Sequence, residues 1–256
     1  MSLVSKLSTN ARDVRAFGLG VLARHLGRGS RPARLRGVGS VVVRRRNTDM
    51  ECFRQVFRDG EYSLAVHPAV EARIRARYDA LLQLGRTPVV IDGGANVGAS
   101  AIWFAQRFPE AKVVAIEPDD GNFDLLTRNT AAHSNVAPMR AALGAEAGFV
   151  AVRNWGPGWA VRTERAVDGL PIVTVPQAVA SVADGGLFLA KIDIEGFERD
   201  LFASNLDWID DAYVVLIEPH DWMLPGQFTS RPFMRAMAAH EFELFILGEN
   251  LAFVRA

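Results

Sequence analysis

The chain has 256 residues, of which 49% are apolar, and its 29 basic and 29 acidic residues give a formal net charge of zero. This length and composition suffice for one large hydrophobic core. The single cysteine, Cys52, excludes an internal disulfide framework and fits a reducing compartment. No apolar run approaches the ~20 residues that cross a bilayer, and no secretory signal is recognisable. We therefore expect a cytoplasmic protein.

The charges are unevenly distributed along the chain. Residues 1–48 hold eleven basic residues and one acidic residue, whereas residues 49–256 hold eighteen basic and twenty-eight acidic residues. This division predicts a basic N-terminal extension, 1–48, on an acidic main domain, 49–256. Apolar spacing predicts an amphipathic helix over 3–25, and 34–43 is predicted to be strand. The helix would either pack on the main domain or dock on the inner face of an anionic membrane; we expect no nucleic-acid partner.

From residue 87 onward, predicted strands and helices alternate, which is typical of a mostly parallel sheet. Strands are predicted near 89–92, 112–117, 135–143, 148–153, 172–175, 187–193, 213–218, 242–247 and 251–255. Helices are predicted near 98–108, 120–132, 176–183, 196–204 and 231–240, after a short helix near 53–57 and a longer one near 70–82. The last two strands are joined by three residues and predict an antiparallel hairpin. The expected fold class is α/β, a mostly parallel sheet that ends in this hairpin.

A glycine-rich turn follows the first strand of the predicted sheet. The strand ends in Asp92, the turn spans Gly93 to Gly98, and a helix begins after it. The next strand ends in Glu117, nineteen residues beyond Gly98. A carboxylate at that distance suits the hydroxyls of a ribose. The two strand ends therefore predict a site for a nucleoside cofactor.

The details of the turn favour one cofactor over another. A dinucleotide site uses G-x-G-x-x-G, and here Ala95 replaces the middle glycine. A negative charge at Asp92 would repel a pyrophosphate and attract a cationic group. S-adenosylmethionine carries an ammonium and a sulfonium group and no phosphate, so we favour it. An NAD(P)-dependent oxidoreductase and a catalytically silent S-adenosylmethionine-binding protein are the alternatives.

A second group of charged residues follows two later strands. Lys191, Asp193 and Glu195 alternate at the end of one strand, so they share a face at the edge where ligands bind. Glu218 and His220 follow the next strand. Asp193, Glu195 and His220 are candidates for a general base, and Lys191 is placed with them in the catalytic group. The same carboxylates with Glu218 could hold Mg²⁺, an alternative that we favour less.

Together, three ordered motifs resemble the FkbM-type methyltransferase family. They are Asp92-Gly-Gly-Ala-Asn-Val-Gly, Glu117-Pro118 with the following Asn122-Phe123, and Lys191-Ile-Asp-Ile-Glu-Gly-Phe-Glu. The resemblance spans roughly residues 50–255. It implies the class I (Rossmann-like) methyltransferase fold, S-adenosylmethionine as cofactor, and O-methylation of a sugar or natural-product hydroxyl. The chain departs from the family at Pro176, where members often have an acidic residue.

The resemblance and the strand ends together define a predicted cofactor site. Its members lie after the first three strands of the sheet: Asp92, Gly93, Gly94, Ala95, Asn96, Gly98, Glu117, Pro118, Phe123 and Ala142. Glu117 would hold the ribose, Phe123 would pack near the adenosine, and Ala142 would border the adenine. The acceptor would be a small molecule or a glycan, free or linked to lipid. Two tryptophans in the loop over 153–162 suit a ring-shaped acceptor.

Overall fold

The structure, a computed structural model, describes residues 3–25, 31–44, 47–65, 67–154 and 161–256. The two tryptophans of the predicted acceptor loop lie outside these ranges. The α-helices are α1 (Leu3–Phe17), α2 (Asp49–Phe53), α3 (Pro68–Gln83), α4 (Ala99–Arg107), α5 (Asp120–Thr130), α6 (Val175–Ala180), α7 (Glu198–Leu201), α8 (Trp208–Asp211) and α9 (Arg231–Met237). A 3₁₀-helix spans Leu19–His25 and a π-helix spans Arg54–Arg58.

The strands form a hairpin, a central sheet and a smaller sheet. They are β1 (Arg31–Leu35), β2 (Gly39–Val43), β3 (Thr87–Gly93), β4 (Lys112–Ile116), β5 (Val136–Met139), β6 (Ala142–Leu143), β7 (Gly148–Asn154), β8 (Val161–Ala166), β9 (Leu170–Val173), β10 (Gly185–Ile192), β11 (Val214–Ile217), β12 (Phe242–Leu247) and β13 (Asn250–Arg255).

The central sheet has seven strands in the order β12-β13-β11-β10-β3-β4-β5. The strands from β11 to β5 are parallel, whereas β13 pairs antiparallel with both β11 and β12. Its middle strands are buried runs of valine, leucine and isoleucine, as expected for strands covered on both faces. The predicted α/β class and the C-terminal hairpin are confirmed. In this arrangement the carboxyl ends of β3, β4, β10 and β11 lie along one edge.

The smaller sheet was not predicted as a separate unit. It has the order β6-β9-β7-β8. The prediction of one strand over 135–143 is wrong, because β5 pairs with β4 while β6 pairs with β9, and the chain changes sheets at Arg140 and Ala141. Strand β8 was not predicted either. The helix predicted over 196–204 is only one turn long, and the short α8 was missed.

The N-terminal residues belong to the core of the main domain. Phe17, Val21 and Leu35 are buried in the same cluster as the residues of β3 and α4. The predicted strand over 34–43 is instead the hairpin of β1 and β2. The side chain of Asn129, on α5, accepts a hydrogen bond from the backbone N–H of Val42 (2.6 Å) and donates one to its carbonyl (3.2 Å). Docking on a membrane stays a prediction. Among the described residues, no helix is both long and apolar enough to cross a bilayer.

A buried ion pair fixes α1 to the main domain. Asp13 is fully buried, 2.7 Å from Arg54 Nη2 and 3.5 Å from Arg58 Nη1. Replacing Asp13 with alanine leaves both guanidinium groups without this carboxylate, so we expect the free energy of unfolding to fall by about 3 kcal/mol. Urea denaturation measures this. Asp59→Ala is the control: Asp59 pairs with Arg58 but is 52% exposed, and its loss should cost less than about 1 kcal/mol. Equal losses in the two variants would contradict the anchoring role.

Candidate cofactor and catalytic site

A cleft lies at the carboxyl ends of β3, β4 and β10, and we call it the main cleft. Seven predicted site residues line it: Gly94, Asn96, Glu117, Pro118, Ala142, Asp193 and Glu195. Residues not assigned from the sequence complete it: Ile116, Asn122, Leu143, Thr163, Ile194 and Phe197. The lining thus combines carboxylates at strand ends with an apolar wall.

Glu117 is held in place by its own neighbourhood. One carboxylate oxygen accepts a hydrogen bond from the backbone N–H of Asn96 (2.8 Å), and the other accepts one from the N–H of Asp119 (3.0 Å). The side-chain amide of Asn122 lies 3.4 Å from the second oxygen. Burial raises the pKa of Glu117 to about 7, although these hydrogen bonds oppose the shift. The carboxylate is therefore fixed at the cleft wall beside the glycine turn.

The raised pKa of Glu117 makes stability depend on pH. The folded state binds this proton more tightly than the unfolded state, whose ordinary value is 4.5. The stabilisation is complete below that value and is lost as pH rises towards about 7, by up to about 3 kcal/mol. Chemical denaturation should show that the free energy of unfolding falls between pH 5 and pH 8, and that it falls less in Glu117→Gln than in the parent protein. The same slope in both proteins would contradict this assignment.

Gly94 brings the turn against the end of β10. Its φ of +75° is in the left-handed region, and a Cβ there would overlap the backbone carbonyl oxygen of Asp193. Only glycine avoids both the strain and the overlap. The turn between β3 and α4 therefore exposes bare backbone directly beside Asp193. This close approach fits a cofactor that lies across the turn.

Asp92 and Lys191 form a buried support beneath the turn. Lys191, 1% exposed, donates to the carbonyl oxygens of Gly93 (3.2 Å) and Gly94 (2.7 Å), and lies 3.3 Å from one carboxylate oxygen each of Asp92 and Asp193. Burial alone would lower the pKa of Lys191, but the charges of Asp193 and Asp92 outweigh it and raise the pKa. The charged ammonium group thus holds the turn and Asp193 in place and cannot act as a base.

Other predicted cofactor residues also lie outside the main cleft. Asp92 is fully buried and accepts a hydrogen bond from Ser100 (2.7 Å), so it supports the turn from below. Gly98 is the N-cap of α4, in the left-handed region. The Phe123 side chain packs against the core cluster that contains the N-terminal residues, and neither it nor Gly93 is among the residues that line the main cleft. Residues on the buried side of the turn thus shape the cleft without lining it.

His220 lies at the centre of a cluster of carboxylates. It is 2% exposed, and its Nδ1 lies 2.8 Å from an oxygen of Glu198. Its Nε2 faces Asp193 (3.5 Å), Glu218 (3.7 Å) and Glu195 (3.8 Å). The structure thus brings together all the residues predicted from the ends of β10 and β11. Glu198, at the start of α7, completes the group.

The electrostatics of this cluster separate the candidate bases. Burial on its own would lower the pKa of His220, but the hydrogen bond and charge of Glu198, with Asp193 and Glu195, raise it to about 10. Burial and the charge of Asp193 raise the pKa of Glu195 to about 8 and that of Glu218 to about 7. A histidine that keeps its proton at neutral pH does not take another. Glu195 also keeps most of its proton at neutral pH, whereas Glu218 is partly ionised there and is the best proton acceptor of the three.

Two further openings meet the main cleft. The side cleft, next to the N-terminal half, is lined by Cys52, Gln55, Val56, Glu61, Tyr62, Gly94, Ala95, Asn96, Ala99, Ser100, Lys191, Asp193 and Glu218. The outer groove shares Thr163, Glu195 and Phe197 with the main cleft and continues over α7. Thr163 is on β8, a strand of mostly polar residues without an apolar run to reveal it. Asp193 borders the main and side clefts, and Glu195 borders the main cleft and the outer groove.

The fold and the site define the class of protein. Numbered along the chain, the strands of the central sheet have the order 3-2-1-4-5-7-6, with the seventh antiparallel, which is the class I methyltransferase arrangement of a Rossmann-like sheet. Residues 92–246 match the family model described as "Methyltransferase FkbM domain". The chain belongs to the FkbM methyltransferase family.

Individual proteins match this chain either over a short stretch or at low sequence identity. The chain is 35% identical over 74 residues to "Methyltransferase sdnD" of Sordaria araneosa, a stretch that covers 28% of either protein. Among solved structures, precorrin-6y C5,15-methyltransferase of Geobacter metallireducens has a TM-score of 0.39 at 11% identity, over 72% of this chain and 88% of that one. Fibrillarin of Aeropyrum pernix, solved with natively bound S-adenosyl-L-methionine, has a TM-score of 0.40 at 11% identity, over 65% of each chain.

Proposed function

We propose that this protein transfers a methyl group from S-adenosylmethionine to a hydroxyl oxygen of a sugar or other natural product. The observation that carries the proposal is the position of Asp193. It lines the main cleft beside the glycine turn, and it belongs to the group of carboxylates around His220. Asp193 therefore belongs both to a cleft that suits a nucleoside and to a group of residues that includes proton acceptors.

The residues of the main cleft fit the parts of S-adenosylmethionine. Glu117 would hold the ribose hydroxyls, because a carboxylate fixed by backbone N–H groups keeps lone pairs for two further donors. Ile116, Ala142 and Leu143 supply an apolar wall for the adenine. The exposed backbone of the turn at Gly94 would lie along the methionine part. The bound cofactor supplies a methyl group on a cationic sulfur, which the acceptor oxygen displaces.

The acceptor would enter through the outer groove and reach the main cleft at Glu195. An alcohol becomes a good nucleophile as its proton leaves, and a positioned base contributes about 10²–10⁴-fold. His220 keeps its own proton, so the proton of the acceptor passes to a carboxylate of the cluster. Lys191 holds Asp193, and the hydrogen bond that His220 Nδ1 donates to Glu198 holds the imidazole ring. Correct positioning of the oxygen supplies much of the remaining acceleration.

The experiment is a methylation assay of the full chain with S-adenosylmethionine carrying a labelled methyl group. Free sugars and hydroxylated natural products serve as acceptors, and mass spectrometry locates the methyl ether. Calorimetry with S-adenosylmethionine, S-adenosylhomocysteine and NAD, run beside it, identifies the cofactor. Binding of NAD alone, or methylation only at nitrogen or carbon, would overturn the proposal.

The proposed role of Glu117 can be tested through the affinity for S-adenosylmethionine. Glu117→Ala should weaken S-adenosylmethionine binding by about 1–3 kcal/mol, because charged hydrogen bonds to the ribose are lost. Calorimetry measures the change. Asp124→Ala, at an exposed position on α5, is the control and should keep the affinity of the parent protein. An unchanged affinity in Glu117→Ala would remove Glu117 from the ribose site.

A further inference from the structure

Three carboxylates converge on one nitrogen of His220. Asp193 Oδ1 lies 3.5 Å from Nε2, Glu218 Oε1 lies 3.7 Å away, and Glu195 Oε2 lies 3.8 Å away. None of these separations is a hydrogen bond of normal length. The Glu195 oxygen is buried and has no hydrogen-bond partner among the described residues. The polar atoms thus face a common point without satisfying one another.

A second observation shows that the orientation of the His220 ring is fixed. His220 is 2% exposed, and its other nitrogen, Nδ1, lies 2.8 Å from Glu198, which is itself 1% exposed. A histidine whose far nitrogen is held by a carboxylate is the usual way in which proteins orient an imidazole towards a metal ion. Glu198 also accepts a hydrogen bond from the backbone N–H of Ile194 (3.2 Å). The ring is therefore fixed with Nε2 pointing at Asp193 and Glu195.

The dimensions suit a cation. Ligand atoms at 2.0–2.2 Å from a metal lie roughly 3.0–3.6 Å from their neighbours in octahedral or tetrahedral sites. The observed separations of Nε2 from Asp193 and Glu195, 3.5 and 3.8 Å, are close to this range. One oxygen from each carboxylate and the histidine nitrogen all lie within 4.8 Å of one another. Small side-chain movements would complete a three-ligand site.

We propose that Asp193, Glu195 and His220 bind a divalent metal ion at the junction of the main cleft and the outer groove. One imidazole with two carboxylates is a mixed donor set, which suits Mn²⁺, Fe²⁺ or Zn²⁺ better than the all-oxygen set that Mg²⁺ prefers. A bound cation and a proton on His220 are alternative ways to balance the same negative charge. Because Asp193 and Glu195 line the clefts, an ion held by them would be accessible to water or substrate.

The role of the metal rests on the proposed function, whereas its binding does not. A cation at this point would coordinate the acceptor hydroxyl and lower its pKa. With Asp193 bound to the cation, Glu218, which lies beside the three ligands and lines the side cleft, would take the hydroxyl proton in place of Asp193. The oxygen forms the new C–O bond as the bond from the methyl carbon to sulfur breaks, and the electron pair stays on sulfur. The metal is neither oxidised nor reduced.

The test measures binding of Mn²⁺ to the full chain, with neither S-adenosylmethionine nor acceptor present. Electron paramagnetic resonance should show saturable binding of one Mn²⁺ per chain. Pulsed measurements should show coupling of the bound Mn²⁺ to a ¹⁴N nucleus, which needs no variant. Glu195→Gln should weaken binding by about tenfold or more, with its fold checked by circular dichroism. Competition with Mg²⁺ and Zn²⁺ ranks the ions.

A rival acidic group supplies the control. Glu61, Glu218 and Glu249 also lie within 4.8 Å of one another, but they include no nitrogen ligand. Glu249→Gln should therefore leave Mn²⁺ binding unchanged. Weakening by Glu249→Gln rather than Glu195→Gln, a bound ion without ¹⁴N coupling, or no saturable binding at all would each overturn the proposal. Calorimetry with S-adenosylmethionine on the same samples shows separately whether the cofactor site is intact.

Discussion

Asp193→Asn is expected to lower the rate of methyl transfer at saturating substrate by about 10²–10⁴-fold, the range attributed to a positioned proton acceptor. Asparagine has nearly the same size but cannot accept a proton or balance the charge of Lys191 as a carboxylate does. The 3.3 Å and 3.5 Å contacts of Asp193 with Lys191 and His220 would lose their charge. We expect the turnover number to fall much more than the affinity for S-adenosylmethionine.

The measurement separates a chemical role from a binding role. Steady-state kinetics give the turnover number and KM, and calorimetry gives the cofactor affinity without turnover. Asp210→Asn removes a carboxylate that pairs with His240, away from the described clefts, and should have the activity of the parent protein. A normal turnover number with weaker cofactor binding in Asp193→Asn would assign Asp193 to the cofactor alone.

The position of the site was predictable because its signals are local in sequence. A buried apolar strand that runs directly into an acidic residue marks the end of a parallel strand, as at Glu117 and Asp193. In a doubly wound sheet such ends share one edge. Distant residues therefore meet without any information on tertiary contacts, and His220 was found in the same way after β11. The alternation of strands and helices likewise sufficed for the central sheet.

The remaining features depend on contacts between distant segments. Thr163 reaches the main cleft through β8, which is paired with β7 and has a mostly polar sequence. The division of the predicted strand at Arg140 follows from pairing partners in two different sheets. Asp92 was predicted to face the cofactor, but the structure directs it to Lys191 and Ser100 beneath the turn. Local patterns place a residue at a strand end without determining which neighbour its side chain meets.

Lys191→Met is expected to lower the free energy of unfolding by about 3–5 kcal/mol, the usual result of removing one partner of a buried ion pair. Methionine fills a similar volume, so the change removes charge and hydrogen bonds rather than packing. Asp92 would keep a buried negative charge with only Ser100 as a partner. The carbonyl oxygens of Gly93 and Gly94 would also lose their donor. Urea denaturation measures the loss. The matched control is Lys112→Met, because Lys112 makes an exposed hydrogen bond to the Ser134 carbonyl.

The pH dependence of this loss identifies its cause. Burial already raises the pKa of Asp92 although Lys191 opposes the shift, so without Lys191 the folded protein would bind a proton at Asp92 more tightly still. Because the unfolded chain binds that proton only near the ordinary value of 3.8, the stability of Lys191→Met should fall as pH rises. Its deficit relative to the parent protein should therefore be smaller at pH 5 than at pH 8, and adding Asp92→Asn should recover part of the loss. A deficit that is independent of pH and unaffected by Asp92→Asn would mean that Lys191 stabilises the turn through its hydrogen bonds alone.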